Sequence, residues 1–202
     1  MPLNLGNSGG DFLPILKYNA KAGRWYVRED DEDVEVDGMT AMFDFENIQT
    51  GWLHFGPTGP DWRPDPDLST ATDSPGGDFK RGFKIHVYAK KQLGGAREFM
   101  SSSQMACGAI KKLYAEYEES GKGAQLDHRG IGQVPVVKCT GTNAITGKHG
   151  TNFEPVLEIV KWMKRPPEDD LPILSGGAST PAPAPVTNSA SDDVGELEDE
   201  FV

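Results

Sequence analysis

Along residues 78–91 apolar and polar side chains alternate. Phe83, Ile85, Val87 and Ala89 fall on one side, and Lys84, His86, Tyr88 and Lys90 on the other. A period of two belongs to a β-strand, whose successive side chains leave opposite faces. The same rhythm predicts a half-buried strand over residues 39–45, where Met39, Ala41, Phe43 and Phe45 alternate with Thr40, Met42 and Asp44, and residues 51–56 extend or follow it. Two early strands are predicted over residues 11–18 and 23–28, joined by a glycine-containing turn, and the last strands over 134–139 and 152–163. The period changes once. Ala106, Ala109, Ile110, Leu113 and Tyr117 recur at three and four, which predicts an amphipathic helix over residues 98–120, with an N-cap among Ser101, Ser102 and Ser103 and a C-cap at Gly121. Strands, one helix, then strands suit a small α+β or β-barrel architecture. No internal repeat is visible.

The intervals between these elements divide the rest of the chain. The acidic run at 29–37 reads as a solvated loop, and residues 57–78, rich in proline, as a long loop of the kind that often carries function. Pro166 and Pro167 stop any regular element. A domain over residues 1–167 is therefore expected, followed by a disordered tail over 168–202. Residues 175–191 are nearly all Gly, Ala, Ser, Thr, Pro, Val and Asn, a composition that cannot offset its ordering entropy and reads as a spacer. The chain closes with Asp192, Asp193, Glu196, Glu198, Asp199 and Glu200 around Leu197 and Phe201. Such a terminus on a flexible spacer can lie in the protein's own basic groove as a phosphate mimic, displaced when nucleic acid arrives, or dock Phe201 in an apolar, cation-rimmed pocket of a partner; solubility alone does not explain the two bulky apolar residues.

Charge changes the picture further. The net charge of −11 argues against a nucleic-acid ligand only until it is divided. Residues 1–78 carry −10, residues 79–167 carry +8 and residues 168–202 carry −9. The basic middle lies between acidic ends, a polarised molecule. No stretch approaches the roughly 20 apolar residues of a membrane span, and the first eleven residues lack the pattern of a secretory signal. A cytoplasmic protein is expected, with Cys107 and Cys139 reduced.

A binder of single strands needs cations to follow phosphates and flat rings to stack on bases. Lys84, His86, Tyr88 and Lys90 interleave both on one strand face, and Arg24, Tyr26 and Arg28 repeat the pattern on a second. Trp52, Phe55 and Trp62, in or beside the long loop, are either base clamps or caps on the core. The glycine-rich run 141–149 fails as a P-loop: five residues separate its glycines and His149 stands where magnesium chemistry needs Ser or Thr. It reads instead as a hairpin loop whose Lys148 can reach a phosphate. No metal-ligand spacing, cofactor motif or catalytic constellation stands out. Asp61, Asp65, Asp67, Asp73 and Asp78 sit among prolines and glycines, where aspartate commonly forms turns.

These features together resemble single-stranded DNA-binding proteins, particularly the divergent phage and prophage kind built on an OB fold. Residues 150–157, Gly-Thr-Asn-Phe-Glu-Pro-Val-Leu, and 162–166, Trp-Met-Lys-Arg-Pro, look like the closing strands of that group. The resemblance implies a mostly β, OB-fold-like barrel with its helix between strands, and DNA crossing the barrel face. It implies a sequence-tolerant protein that coats and protects single-stranded DNA in phage-type replication, recombination or repair. It implies no enzyme activity and no cofactor, and an acidic tail that recruits replication or recombination proteins. The tails of that group end on Phe itself, whereas Val202 follows Phe201 here. Two rival readings stand beside it: a protein–protein adaptor working through the tail, and a metal-dependent enzyme using Asp65 or Asp67. Self-association is left open.

Overall fold

The alternating run of residues 78–91 becomes β7 (Lys80–Ala89), the strand from which the rest of the sheet is built. The computed structural model describes residues 13–29, 32–57, 59–123, 132–148 and 150–174. Before β7 come β1 (Ile15–Asn19), β2 (Arg24–Glu29), β3 (Glu32–Val36), β4 (Thr40–Phe43), β5 (Gln49–Gly56) and β6 (Gly59–Pro64). After it come β8 (Gly95–Ser101), helix α1 (Gln104–Ser120), β9 (Gln133–Gly147) and β10 (Gly150–Lys164). The sheet runs β10-β9-β4-β7-β8-β1-β2-β3, and β5 and β6 branch from the start of β7. The pairs are antiparallel except β1 with β8.

This sheet curls into a half-barrel. Phe153 N–H of β10 donates to the Ala20 carbonyl at 2.7 Å, and the Tyr18 hydroxyl donates to the Phe153 carbonyl at 2.9 Å. The chain can approach this closely because Gly23, at φ 69°, turns the β1–β2 corner and has no Cβ to meet the Phe153 ring above it. Over the described residues the protein is thus mostly β, OB-fold-like, with one α-helix between β8 and β9 packed on β10.

Phe99 sits at the middle of the core. Its ring meets Phe83 at 5.0 Å, Trp25 at 5.1 Å and Phe43 at 6.5 Å, all three edge to face. Ile85, Val87 and Leu16 are fully buried around it. Each such side chain contributes about 1.5–3 kcal/mol on leaving water.

Three sequence expectations change. The helix begins at Gln104, not at residue 98, because residues 95–101 pair with β7 as a strand and bury Phe99 there. Ser103 occupies the N-cap without a side-chain cap bond, while Gly121, at φ 62°, closes the helix as expected. The acidic run is not a loop. β3 pairs with β2, where Arg24 grips Glu35 at 2.6 and 2.7 Å and Lys17 reaches Asp33 at 2.8 Å. Val36, opposite Trp25, is buried. The proline-rich stretch also yields a strand, β6, which among the described residues pairs with β5 alone; an edge position tolerates Pro60 and Pro64.

The most consequential difference lies after β10. Residues 168–174, assigned to the tail by composition, return across β4 and β7, and Leu171 and Leu174 are buried there. Arg165 anchors the turn with a two-pronged ion pair to fully buried Asp44, one prong at 2.7 Å, and also donates to the Leu171 carbonyl at 3.2 Å. Asp44 accepts from the Asn47 amide as well. His86 Nδ1 lies 2.7 Å from the Pro172 carbonyl, so that nitrogen carries the proton and donates it. Met42 and Asp44, on the polar side of the expected 39–45 strand, are buried under this strap.

Replacing Arg165 with Met leaves the Asp44 carboxylate buried and unpaired. Urea denaturation is expected to show a loss of about 3–5 kcal/mol, and the double change Asp44→Leu with Arg165→Met to recover much of it.

Candidate nucleic-acid interface

Beyond the half-barrel, β5, β6 and the start of β7 form a three-stranded extension. Its register sets Trp52 of β5 opposite both Arg63 of β6 and Arg81 of β7, and His54 opposite Asp61, so these side chains share one face. Gly51 permits the tight approach of β6, since a Cβ there would run into the Arg63 backbone. On this face cations and rings interleave. The Arg81 guanidinium lies 5.3 Å from the Trp52 ring centre, and that of Arg63 lies 4.6 Å from Phe79. Phe79 also meets His54 at 5.4 Å. Arg63 is exposed, and Trp52, His54, Phe79 and Arg81 are half-buried.

One buried carboxylate holds this arrangement. Asp65 accepts from both arms of Arg81 at 2.8 and 2.6 Å, from the Thr50 hydroxyl at 2.7 Å, and from the backbone and hydroxyl of Thr72 at 2.9 Å each. The Thr72 carbonyl in turn accepts from Trp52 Nε1 at 3.0 Å. Arg81 and Trp52 are therefore fixed through the same residue and the loop it gathers. The Arg81 hydrogen bonds, helped by those of Thr72 and Thr50 and opposed by burial, hold the Asp65 carboxyl well below the usual carboxylate range. With its oxygens occupied in this way, Asp65 is a structural anion, and Asp67 is similarly engaged by Ser69 and Thr70.

No family model, curated protein or solved structure matches this chain. What the extension can do rests on its own chemistry. Guanidinium planes and aromatic rings on one face offer stacking surfaces for flat bases and charge for phosphates.

The residues singled out from sequence are dispersed. Trp52 belongs to the face just described. Phe55 and Trp62 lie on the opposite face of the hairpin; Phe55 is exposed, and Trp62 Nε1 donates to Gln49 Oε1 at 3.3 Å. Lys84, His86 and Tyr88 do not form an open face. His86 and Tyr88 are buried beneath the strap and Lys84 is ion-paired with Glu98. Lys90 is exposed in the turn after β7, while Lys80 marks the other end of that strand, about 30 Å away at roughly 3.3 Å per residue. Arg24 and Arg28 flank Tyr26 as expected, but β3 sets Glu35 and Asp33 against them. Lys148 stands at the turn of the long β9–β10 hairpin. The tail residues Asp192, Asp193, Glu196, Glu198, Asp199, Glu200 and Phe201 lie outside the described residues.

Four residues of the face were not anticipated: His54, Arg63, Phe79 and Arg81. A hairpin signal was nevertheless present, since Gly56 and Gly59 bracket a short turn between Trp52 and His54 on one side and Trp62 and Arg63 on the other.

The depressed Asp65 carboxyl contributes stability that is complete above its unfolded value of about 4. That contribution drains as the pH falls below 4 toward the lower folded value. Asp65→Asn is expected to be least stable relative to the parent at neutral pH, with the gap in chemical-denaturation free energy shrinking toward pH 2. A pH-independent gap would refute the assignment.

Proposed function

We propose that this protein binds single-stranded DNA without sequence preference, through the Trp52–Arg63–Arg81 face of the β5–β6–β7 extension. The observation that carries this reading is the interleaving of two guanidinium groups with the rings of Trp52 and Phe79 on one half-open surface. Ring faces and guanidinium planes contact bases only where the bases are unstacked, which selects single strands over duplex. Every base has such a face, so the contact tolerates any sequence. The +8 balance of residues 79–167 supports attraction of a polyanion. The OB-fold-like body supports it too, since such barrels commonly bind oligonucleotides with a strand face and the loops beside it. The resemblance to phage single-stranded DNA-binding proteins supports a role in coating and protecting DNA during replication, recombination or repair, with the acidic tail recruiting partner proteins.

Fluorescence anisotropy of a labelled oligo-dT, with duplex of equal length as control, tests the reading. Tight binding to the single strand that weakens with salt is expected. Trp52→Ala should cost about 1–3 kcal/mol of affinity. Arg63→Ala should lower the slope of log affinity against log salt by about 0.7, one single-strand phosphate contact. If both folded variants bind as the parent does, the face is wrong.

A further inference from the structure

The strands of the extension alternate, so they arm two surfaces. Trp52, His54 and Arg81 leave one face; Phe55 and Lys80, an odd number of residues away on the same strands, leave the other. On that second side lies an open cleft of about 570 Å³, where the hairpin approaches β1, β2 and the junction of β8 with α1. Its lining includes Lys17, Tyr26, Phe55, Lys80, Met100 and Ser102. Met100 is nearly buried and supplies apolar wall. Phe55, at 59% exposure, is the most exposed of the large apolar side chains among the described residues. Lys80 is exposed and makes no ion pair among the described residues. Lys17 is held by Asp33 at 2.8 Å, but both are exposed, and such a surface pair contributes little and readily exchanges for another anion.

We propose that this cleft is a second subsite for the same single strand, extending the path that begins on the Trp52–Arg63–Arg81 face. The chain of nucleotides turns over the open end of the β5–β6 hairpin; Phe55 then stacks a base, and Lys80 and Lys17 hold phosphates. Three features carry the inference. The cleft repeats the chemistry of the first face, rings beside cations. The two surfaces are back to back, because Lys80 and Arg81 are consecutive residues of one strand, so only the thickness of the sheet separates them. The most exposed ring, Phe55, lies three registered pairs beyond Trp52 and one before the Gly56–Gly59 pair that closes the hairpin. The inference rests on the nucleic-acid reading of the first face and makes a separate claim about length.

The test compares the full-length parent, Trp52→Ala, and the double variant Phe55→Ala with Lys80→Ala on two labelled oligo-dT ligands. One is about six nucleotides long and one about twenty, bracketing the roughly 4–16 nucleotides an OB fold occupies. Both altered side chains of the double variant project into solvent, so unchanged thermal unfolding is expected to accompany the measurement. On the long ligand the double variant should bind roughly 5- to 150-fold more weakly and with a salt slope reduced by about 0.7. On the short ligand it should match the parent, whereas Trp52→Ala should weaken both. Parent-like binding of the long ligand by the double variant, with Trp52→Ala still defective, overturns the second subsite and leaves the first face standing. Equal loss on both lengths also overturns it, since the cleft would then belong to the first seat. If Trp52→Ala is without effect on either length, the underlying reading falls, and the extension with it.

Discussion

The buried ion pair between Asp44 and Arg165 sets the form of the molecule. A carboxylate with no exposure is tolerated only when its charge is met at close range, and Arg165 meets it with both guanidinium arms while Asn47 takes up the remaining lone pairs. Arg165 follows directly on β10, and Asp44 directly on β4, so the pair fixes where the chain must go after its last strand. It returns across the sheet, Leu171 and Leu174 complete an apolar layer, and His86 receives its acceptor from Pro172. One side of β4 and β7 that would otherwise face water becomes interior.

That closure displaces the open, chemically varied surface from the barrel wall to its extension. β5 and β6 leave the barrel beside the first half of β7, beyond the region the strap covers, and there Asp65 repeats on a smaller scale what Asp44 does for the body. It is a buried anion whose partners are drawn from two strands and a loop. The barrel and the extension are thus each organised by one aspartate and one arginine, but the first arginine is consumed inside the fold, while the second keeps part of its surface over Trp52.

Much of the fold was legible. The alternation through Phe83, Ile85, Val87 and Ala89 identifies the central strand, and the three-and-four spacing through Ala106, Ile110 and Leu113 identifies the helix and its Gly121 end. The failures share a cause: each was decided by a neighbour distant in sequence. Glu98 to Ser101 satisfy a helical start as well as a strand, and pairing with β7 decides between them. Glu32 to Val36 look like a solvated run until the cations of β1 and β2 are placed across from them. His86 and Tyr88 look like part of a solvent face because the segment that covers them begins Glu168-Asp169-Asp170, which reads as tail, and Lys84 is met by Glu98 of the neighbouring strand. The candidate site shows the same limit. Cations flanking a ring on a single strand, as at Arg24, Tyr26 and Arg28, are easily seen, yet acids from β3 engage them. The arrangement on the extension draws Trp52, Arg63 and Arg81 from three strands, and no pattern within one strand displays it.

The acidic strand at the sheet margin has a consequence for molecules crowded together. Among the described residues β3 ends the main sheet, and an edge strand is a template on which a second copy can add its own. Two such margins meeting here would bring Glu32, Asp33 and Glu35 of one copy against the same three residues of the other, and their repulsion opposes fusion of the sheets. The carboxylates that quiet the cations of β2 also oppose the edge-to-edge addition of a second copy.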